Sequence, residues 1–257
     1  MPVRLSFNEL KEFLDHKYNE FHQPHFIEKD PISVPHQFSK KEDIEIAGFL
    51  TAIISWGNRA SIVKDATKLM GMMDCSPYEF ILHSTNSDIK PFKSFYHRTF
   101  NGDDCMFFLR SLKNIYLCHG GLESCFIEIN EKGPKVVITN FRKLFLEISH
   151  LKRSEKHISD PSKGSSAKRL LMFLRWMVRT DTGGVDFGIW DQIHPSNLIC
   201  PLDIHVGRVA RKLGLLNRKS NDWQAAEELT ENLRKFDPED PVKYDFALFG
   251  LGILEKF

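Results

Sequence analysis

The 257-residue sequence lacks several features that would place it in a specialised class of proteins. Its five cysteines are an odd number without a CxxC pair, so neither a disulfide framework nor a zinc site is indicated. No stretch approaches the ~18 consecutive apolar residues of a membrane-spanning helix, and the N-terminus lacks the apolar core of a signal peptide. These absences predict a cytoplasmic protein that has no membrane partner.

The net charge is also small, at +1, so the sequence indicates no overall electrostatic attraction to nucleic acid. Basic residues nevertheless outnumber acids in residues 152–179, and residues 204–221 contain basic side chains and no acid. A local patch of this kind can contact phosphates, although a solvated helix face produces the same pattern. On charge alone, the solvated helix face is the favoured interpretation.

The composition and periodicity are those of a helical globular protein. Apolar residues make up 42% of the chain and charged residues 27%, which is enough to form a sizeable core. Ser6-Phe-Asn-Glu9 is a capping-box pattern, and the apolar run IEIAGFLTAIISW follows Lys41. The segment KVVITNF has a strand-like composition but no partner of similar character, so we interpret it as helix. The predicted fold class is all-α.

The length favours a single two-lobed unit. In this interpretation residues 1–40 form an N-terminal helix and a connector, and residues 41–150 form a helical lobe. Residues 151–215 contain a turn, an insert and the helix that starts at Asp203, and residues 216–257 form the C-terminal helices.

The first candidate site is a Gly-Ser-Ser-Ala turn that leads into a helix at Lys168. A glycine-containing turn that directs backbone N–H groups outward at a helix start can bind a phosphate. The positive end of the helix dipole favours the neutral, nucleophilic form of a lysine at this position. Most such lysines, however, only solvate a helix end. The turn residues predicted to contact phosphate are Gly164, Ser165 and Ser166.

The same helix carries two arginines at matching positions. Arg175 and Arg179 lie within about 40° of Lys168 around the helix axis, opposite a stripe of leucine, methionine and valine side chains. They can either contact phosphates or complete an ion-pair network, and the sequence does not distinguish these roles.

The second candidate site is Pro201-Leu-Asp203-Ile-His205-Val-Gly-Arg208. Asp203 opens a helix, where an aspartate stays ionised, but aspartate is also among the commonest N-cap residues and a cap needs no further role. His205 is equally consistent with a structural histidine.

Taken together, the two segments resemble the core of the helix-hairpin-helix (HhH-GPD) DNA glycosylases, nearest to the archaeal-type 8-oxoguanine glycosylases. In that family a turn with Gly four residues before a catalytic Lys precedes a Pro-x-Asp-x-His-φ-x-Arg segment, where φ is apolar. Gly164, Lys168 and Asp203 match those positions, and so do His205 and Arg208. The stretches EIAGFLTAIISWGNRASIVKDATKLM and YDFALFGLGI resemble the opening and closing helices of the family. The whole chain also resembles a bacterial family of unknown function, in which KRLLMFLRWMVR and PLDIHV recur.

The sequence departs from the glycosylase pattern at four places. Ser166 replaces the second glycine of the turn, and the interval between Lys168 and Asp203 is longer than usual. The loop where many relatives place a duplex-filling Gln contains Trp56-Gly57-Asn58, so Asn58 is the candidate substitute. The four-cysteine pattern of an iron–sulfur cluster is absent, because Cys118-x6-Cys125 supplies only one of its intervals. The sequence therefore predicts no cluster, no metal and no other cofactor.

The resemblance implies an all-α fold of two helical lobes with a cleft between them. It also implies a DNA-repair N-glycosylase, with or without an associated abasic-site lyase activity. Its substrate would be a damaged base, such as an oxidised purine, flipped out of double-stranded DNA. Lys168 would attack C1′ of the sugar, and Asp203 would stabilise the positive charge that develops there. Trp56 and Trp190 are candidates for stacking on the flipped base.

Two alternatives belong to other classes. A non-catalytic helical module that binds nucleic acid or a partner protein would keep the same scaffold, with Lys168 and Asp203 paired structurally, because fold does not fix function. A metal site built from Asp203, His205 and His194 fits no known ligand spacing.

Overall fold

The computed structural model describes residues 5–180 and 183–257. Within these residues the chain is predominantly helical and has no β-strand, which confirms the predicted all-α class. The α-helices are α1 (Phe7–Phe21), α2 (Lys41–Ile53), α3 (Arg59–Gly71), α4 (Pro77–His83), α5 (Asn86–Ile89), α6 (Gly102–Cys118), α7 (Ile129–Lys132), α8 (Pro134–Phe145), α9 (Lys168–Val178), α10 (Ile204–Lys212), α11 (Trp223–Arg234) and α12 (Tyr244–Ile253). No helix among the described residues is both long and apolar enough to cross a membrane.

The chain forms two compact units. The central unit is Ile27–Asp160, and the discontinuous unit combines Met1–Phe26 with Pro161–Phe257. The predicted connector contributes to the central unit, because the 3-10 segments Pro31–Ser33 and Pro35–Gln37 pack against α2. The discontinuous unit contains α1 and α9 to α12, and therefore both candidate sites.

Local sequence signals account for several helix boundaries. The Ser6 hydroxyl accepts a hydrogen bond from the Glu9 N–H, and the Glu9 carboxylate accepts one from the Ser6 N–H at 2.8 Å, which completes the predicted capping box. The ambiguous segment KVVITNF is helical and belongs to α8, where Pro134 occupies the first helical position. Residues Pro241–Lys243 form a 3-10 turn immediately before α12.

The core of the central unit is built from aromatic side chains around α2. This helix is buried from Ile44 to Ile53, as its strongly apolar sequence predicts. Phe49 packs against Phe145 and Phe141, with ring centroids 5.4 Å and 5.8 Å apart respectively. Such contacts combine large apolar burial with favourable ring geometry and therefore fix the helices of this unit in place.

In the discontinuous unit, α12 packs against both α1 and α10. Two glycines of α12 allow the neighbouring helices to approach closely. A Cβ added at Gly250 would lie 2.1 Å from the Phe21 ring, and one added at Gly252 would lie 3.0 Å from Cβ of His205. The helix that carries the second candidate site is therefore held directly against the closing helix.

Candidate functional site

The turn before Lys168 has an unusual backbone. Gly164 has φ +88° and Ala167 has φ +50°, a left-handed conformation that is uncommon for a residue other than glycine. The Ala167 N–H donates to the Ser165 hydroxyl at 3.2 Å, which tightens the turn. No described side chain caps α9, so the helix begins at Lys168 with its positive dipole end open.

The rest of the turn is only partly exposed. Ser165 lies at the surface, whereas Ser166 is half-buried. The segment immediately before it, Pro161–Lys163, is a short 3-10 turn and not an α-helix.

Lys168 is a half-buried lysine that forms no salt bridge with any described residue. Its Nζ lies 3.4 Å from Sδ of Met172, one helical turn further along α9. Among the described residues, no carboxylate oxygen lies within 4.0 Å of this nitrogen. The amine therefore contacts a soft, weakly accepting sulfur atom and keeps its hydrogen-bonding capacity available.

Asp203 is the N-cap of α10. Its Oδ1 accepts hydrogen bonds from the N–H groups of His205 and Val206 at 2.8 Å and 2.9 Å. The second oxygen, Oδ2, accepts no hydrogen bond from any described residue. The N-cap function thus occupies one carboxylate oxygen and leaves the other available for a ligand.

The turn and Asp203 converge on the start of α11. The Trp223 N–H donates to the Gly164 carbonyl at 3.0 Å, which joins the turn to the first residue of this helix. Two residues earlier, Nδ2 of Asn221 donates to the Asp203 carbonyl at 2.9 Å. The residues at the start of α11 therefore contact both candidate sites, the turn before Lys168 and the segment that contains Asp203.

A buried carboxylate on α12 links the two candidate groups electrostatically. Arg175 donates from a terminal nitrogen to Asp245, which is buried. Burial raises the pKa of Asp245 to about 6, the charge of Arg175 opposes this, Asp203 raises it further and Lys168 lowers it. Lys168 and Asp203 thus both act on a single carboxyl group, although they do not form an ion pair with each other.

Arg175 and Arg179 are buried, with 5% and 2% of their surface exposed. Both guanidinium groups pair with Asp186, at 3.3 Å for Arg175 and 3.1 Å for Arg179. Arg179 also donates from Nε to Asp240 at 2.7 Å. The sequence left open whether these arginines contact phosphates or complete an ion-pair network. This arrangement supports the ion-pair network, because the polar face of α9 is buried like its apolar face. The arginines are therefore directed at buried carboxylates and not at a surface where DNA phosphates could lie.

Trp190, a candidate for stacking on the flipped base, lies in the core. It is completely buried and packs edge-to-face on Phe173, with ring centroids 5.3 Å apart. Its backbone N–H donates to the Met177 carbonyl at 3.0 Å, and the Phe187 N–H donates to the Trp176 carbonyl at 2.8 Å. The insert therefore satisfies carbonyls that a helix C-terminus would leave unpaired, and this buries its tryptophan.

Arg208 and His205 connect α10 to α12. Arg208 donates from a terminal nitrogen to the Gly252 carbonyl at 2.9 Å and is otherwise exposed. Nδ1 of His205 is buried and has no hydrogen-bond partner among the described residues. Both side chains thus lie on α10, and Arg208 joins this helix to α12 through a hydrogen bond.

Trp56 and Asn58 lie in the central unit. Trp56 is half-buried, meets the His97 ring edge-on at 5.3 Å and stacks on the His157 ring at 5.8 Å. Asn58 is exposed and caps α3, accepting a hydrogen bond from the Ser61 N–H at 3.2 Å. The N-cap of α3 is a sufficient structural role for an asparagine at this position.

Three residues near the site are not predicted from the sequence: Asp186, Asp245 and Asn221. The two aspartates each stand alone in an apolar segment, GGVDFGIW and YDFALFGLG, and an isolated acid in such a segment indicates a buried cationic partner. Asn221 has no comparable signal, because an asparagine before an N-cap aspartate is typical of any turn. Within the described residues, no group of three or more His, Cys, Asp or Glu side chains is arranged to hold a metal ion.

Comparison with known proteins identifies one family. The sequence model of a family described as "Protein of unknown function (DUF2400)" matches residues 30–254, and the match includes both candidate sites. Neither a curated protein nor a solved structure gives a significant match to the chain.

Proposed function

The chain belongs to the family described as "Protein of unknown function (DUF2400)", and we propose that it is a DNA-repair N-glycosylase that removes a damaged base from duplex DNA. The proposal starts from the resemblance of Gly164, Lys168 and Asp203 to the helix-hairpin-helix glycosylase pattern. It is supported by contacts that leave the Lys168 amine and Oδ2 of Asp203 without an oppositely charged partner among the described residues.

The observation that carries the proposal is that both reactive groups are held but not neutralised. Lys168 rests against a thioether, and Asp203 uses one oxygen as a helix cap while Oδ2 stays available. A purely structural pair would place the amine against the carboxylate, because a partly buried charge is stabilised by an opposite charge. The described contacts contain no such pair, which favours a site prepared for a ligand.

In the proposed reaction, the damaged nucleotide leaves the base stack and its sugar lies between the two groups. The bond between the base and C1′ breaks with its electron pair moving to the base, so positive charge develops on the sugar. The free Oδ2 of Asp203 stabilises that charge, an effect that typically changes rates by roughly 10²–10³-fold. The half-buried position strengthens this interaction relative to bulk water.

Lys168 supplies the nucleophile in the lyase form of the reaction. Its neutral amine donates an electron pair to C1′ while the base departs, and loss of a proton from nitrogen and opening of the sugar ring give a Schiff base. If water attacks C1′ in place of the amine, the same site performs simple hydrolysis and leaves an abasic sugar.

The backbone of the turn is the proposed phosphate contact. The N-terminus of α9 has no side-chain cap, and Gly164 has open space where a Cβ would otherwise project. A phosphate oxygen placed there would accept hydrogen bonds from the first N–H groups of the helix and meet its positive dipole end. Arg175 and Arg179 take no part in this contact, because buried carboxylates already hold them.

The proposal is tested by incubating the full-length protein with duplexes that carry 8-oxoguanine, uracil, an alkylated base or an abasic site. Borohydride is added, and both base release and a covalent protein–DNA adduct are measured. We expect base release from at least one duplex, and we expect any adduct to disappear in Lys168→Gln. Lys163→Gln removes a lysine from the same turn and is the matched control.

Absence of base release and of adduct across the whole panel would contradict the proposal. Retention of the adduct in Lys168→Gln would equally contradict the assigned nucleophile. Binding of undamaged duplex without base release would instead favour the non-catalytic nucleic-acid-binding module.

A further inference from the structure

The loop between α10 and α11 contacts both halves of the proposed site. Asn221 donates from Nδ2 to the Asp203 carbonyl at 2.9 Å, and the Trp223 N–H donates to the Gly164 carbonyl at 3.0 Å. Between them, Asp222 forms an antiparallel backbone bridge with Ser165. Three consecutive residues of one loop therefore connect the turn that precedes Lys168 to the cap of α10.

The amide of Asn221 is itself fixed at both ends. Arg211 donates to its Oδ1 at 2.7 Å, so the oxygen is occupied and Nδ2 is directed at the Asp203 carbonyl. Arg211 also donates to the carbonyls of Arg218 and Ser220, at 2.8 Å and 3.2 Å, which ties the loop to α10. The two groups that orient this amide thus belong to Arg211 on α10 and to Asp203, the N-cap of the same helix.

A glycine on α10 provides the space for this arrangement. A Cβ added at Gly207 would lie 2.7 Å from Oδ1 of Asn221 and 2.8 Å from a terminal nitrogen of Arg211. Real Cβ atoms essentially never approach other atoms so closely, so a larger residue would displace the asparagine. The close approach of loop and helix therefore depends on glycine at this position.

We propose that Asn221 is a positioning residue that sets the geometry between Lys168 and Asp203. This inference rests on the proposed glycosylase function. The Asp203 carbonyl also accepts the Gly207 N–H at 2.9 Å, so two donors fix the backbone of the cap residue and with it the direction of the free Oδ2. A displacement of about 1 Å in such a group can lower a reaction rate by roughly 10²-fold.

The test uses two alanine variants of the same loop in the full-length protein. Asn221→Ala removes the donor to Asp203. Asn217→Ala removes an exposed asparagine that donates to Glu228 at 3.1 Å and does not contact the site. A third variant, Asn221→Asp, keeps the acceptor for Arg211 but loses the donor, so it separates the two contacts. For each variant, single-turnover base release and duplex affinity are measured separately.

We expect both Asn221 variants to release base about 10- to 100-fold more slowly while the Kd for duplex changes less than about threefold. Asn217→Ala should stay within about twofold of the unmodified protein in both quantities. A role limited to folding would lower the melting temperature without changing the rate of the folded protein. Base release by the Asn221 variants at the unmodified rate would overturn the proposal.

Hydrogen exchange separates this inference from the proposed function. The N–H groups of His205 and Val206 donate to Oδ1 of Asp203, so their exchange should accelerate at least about fivefold in Asn221→Ala and not in Asn217→Ala. Unchanged exchange would refute the positioning role even if the enzyme is active. If the unmodified protein releases no base from any duplex, the proposed function fails, while the exchange rates still decide whether Asn221 orients the cap.

Discussion

Replacement of Asp203 by asparagine separates the helix cap from the charge. Asparagine is as good an N-cap as aspartate, so its Oδ1 can still accept the N–H groups of His205 and Val206. Oδ2 accepts no hydrogen bond from the described residues, so an NH₂ group in its place breaks no existing contact. The substitution therefore removes a negative charge and little else.

The expected change in stability is small. Loss of a negative charge at a helix N-terminus costs about 0.3–1 kcal/mol. Removal of the same charge relieves Asp245, whose pKa Asp203 helps to raise, so part of that cost is offset. The expected change in rate is large, because electrostatic stabilisation of a developing charge typically contributes roughly 10²–10³-fold.

The assay is single-turnover base release with excess protein on a duplex that the unmodified protein processes, together with thermal unfolding. Ser6→Ala is the control, because it removes the cap of α1 and costs about 1 kcal/mol without contacting the site. We expect Ser6→Ala to keep the rate and Asp203→Asn to lose it. A rate for Asp203→Asn within about threefold of the unmodified protein would refute the electrostatic role of Asp203.

Three further predictions concern the stability of the discontinuous unit, through Arg175, Asp245 and Gly250. Arg175→Met should lower the free energy of unfolding by about 3–5 kcal/mol in urea titrations, and adding Asp245→Leu should restore part of that loss, since an unpaired buried charge is worse than none; no recovery would contradict the ion-pair network. Burial raises the pKa of Asp245 to about 6 from a usual value of about 3.9, so protonation of this carboxyl group stabilises the folded protein. That stabilisation is complete below pH 4 and is lost as the pH rises through 6. Asp245→Asn should therefore gain stability relative to the unmodified protein between pH 4 and 7, and a difference that does not vary with pH would contradict this. Gly250→Ala should cost about 1–3 kcal/mol through its clash with Phe21, whereas Gly71→Ala, which meets no atom within 4 Å, should be neutral or stabilising; equal effects would contradict the packing of α12.

The sequence predicts the helical elements better than their surroundings. The capping box at Ser6 and the apolar run of α2 are local signals, because each depends on residues a few positions apart. The same applies to the cap at Asp203. The enclosure of Arg175 and Arg179 is different, since their partners Asp245 and Asp240 lie 70 and 61 residues further along the chain. A helical wheel places both arginines on a polar face, but it contains no information about what covers that face.

Trp190 illustrates a second limit. An irregular, glycine-rich insert is typical of a surface loop, and this position makes its tryptophan a candidate for stacking on a base. In the folded protein the backbone of the insert completes the hydrogen bonding of α9, and the tryptophan packs on Phe173 as a consequence. Asn221 shows the same limit at the proposed site, because its contact with Asp203 arises from tertiary structure alone.

The most direct test of the central claim is to map the covalent adduct. Borohydride-trapped protein–DNA complex, formed on whichever duplex of the panel reacts, is digested and the modified peptide is identified by mass spectrometry. The account predicts that the sugar remnant is attached to Nζ of Lys168. Attachment to a different lysine, or the absence of both adduct and base release on every duplex, would contradict it.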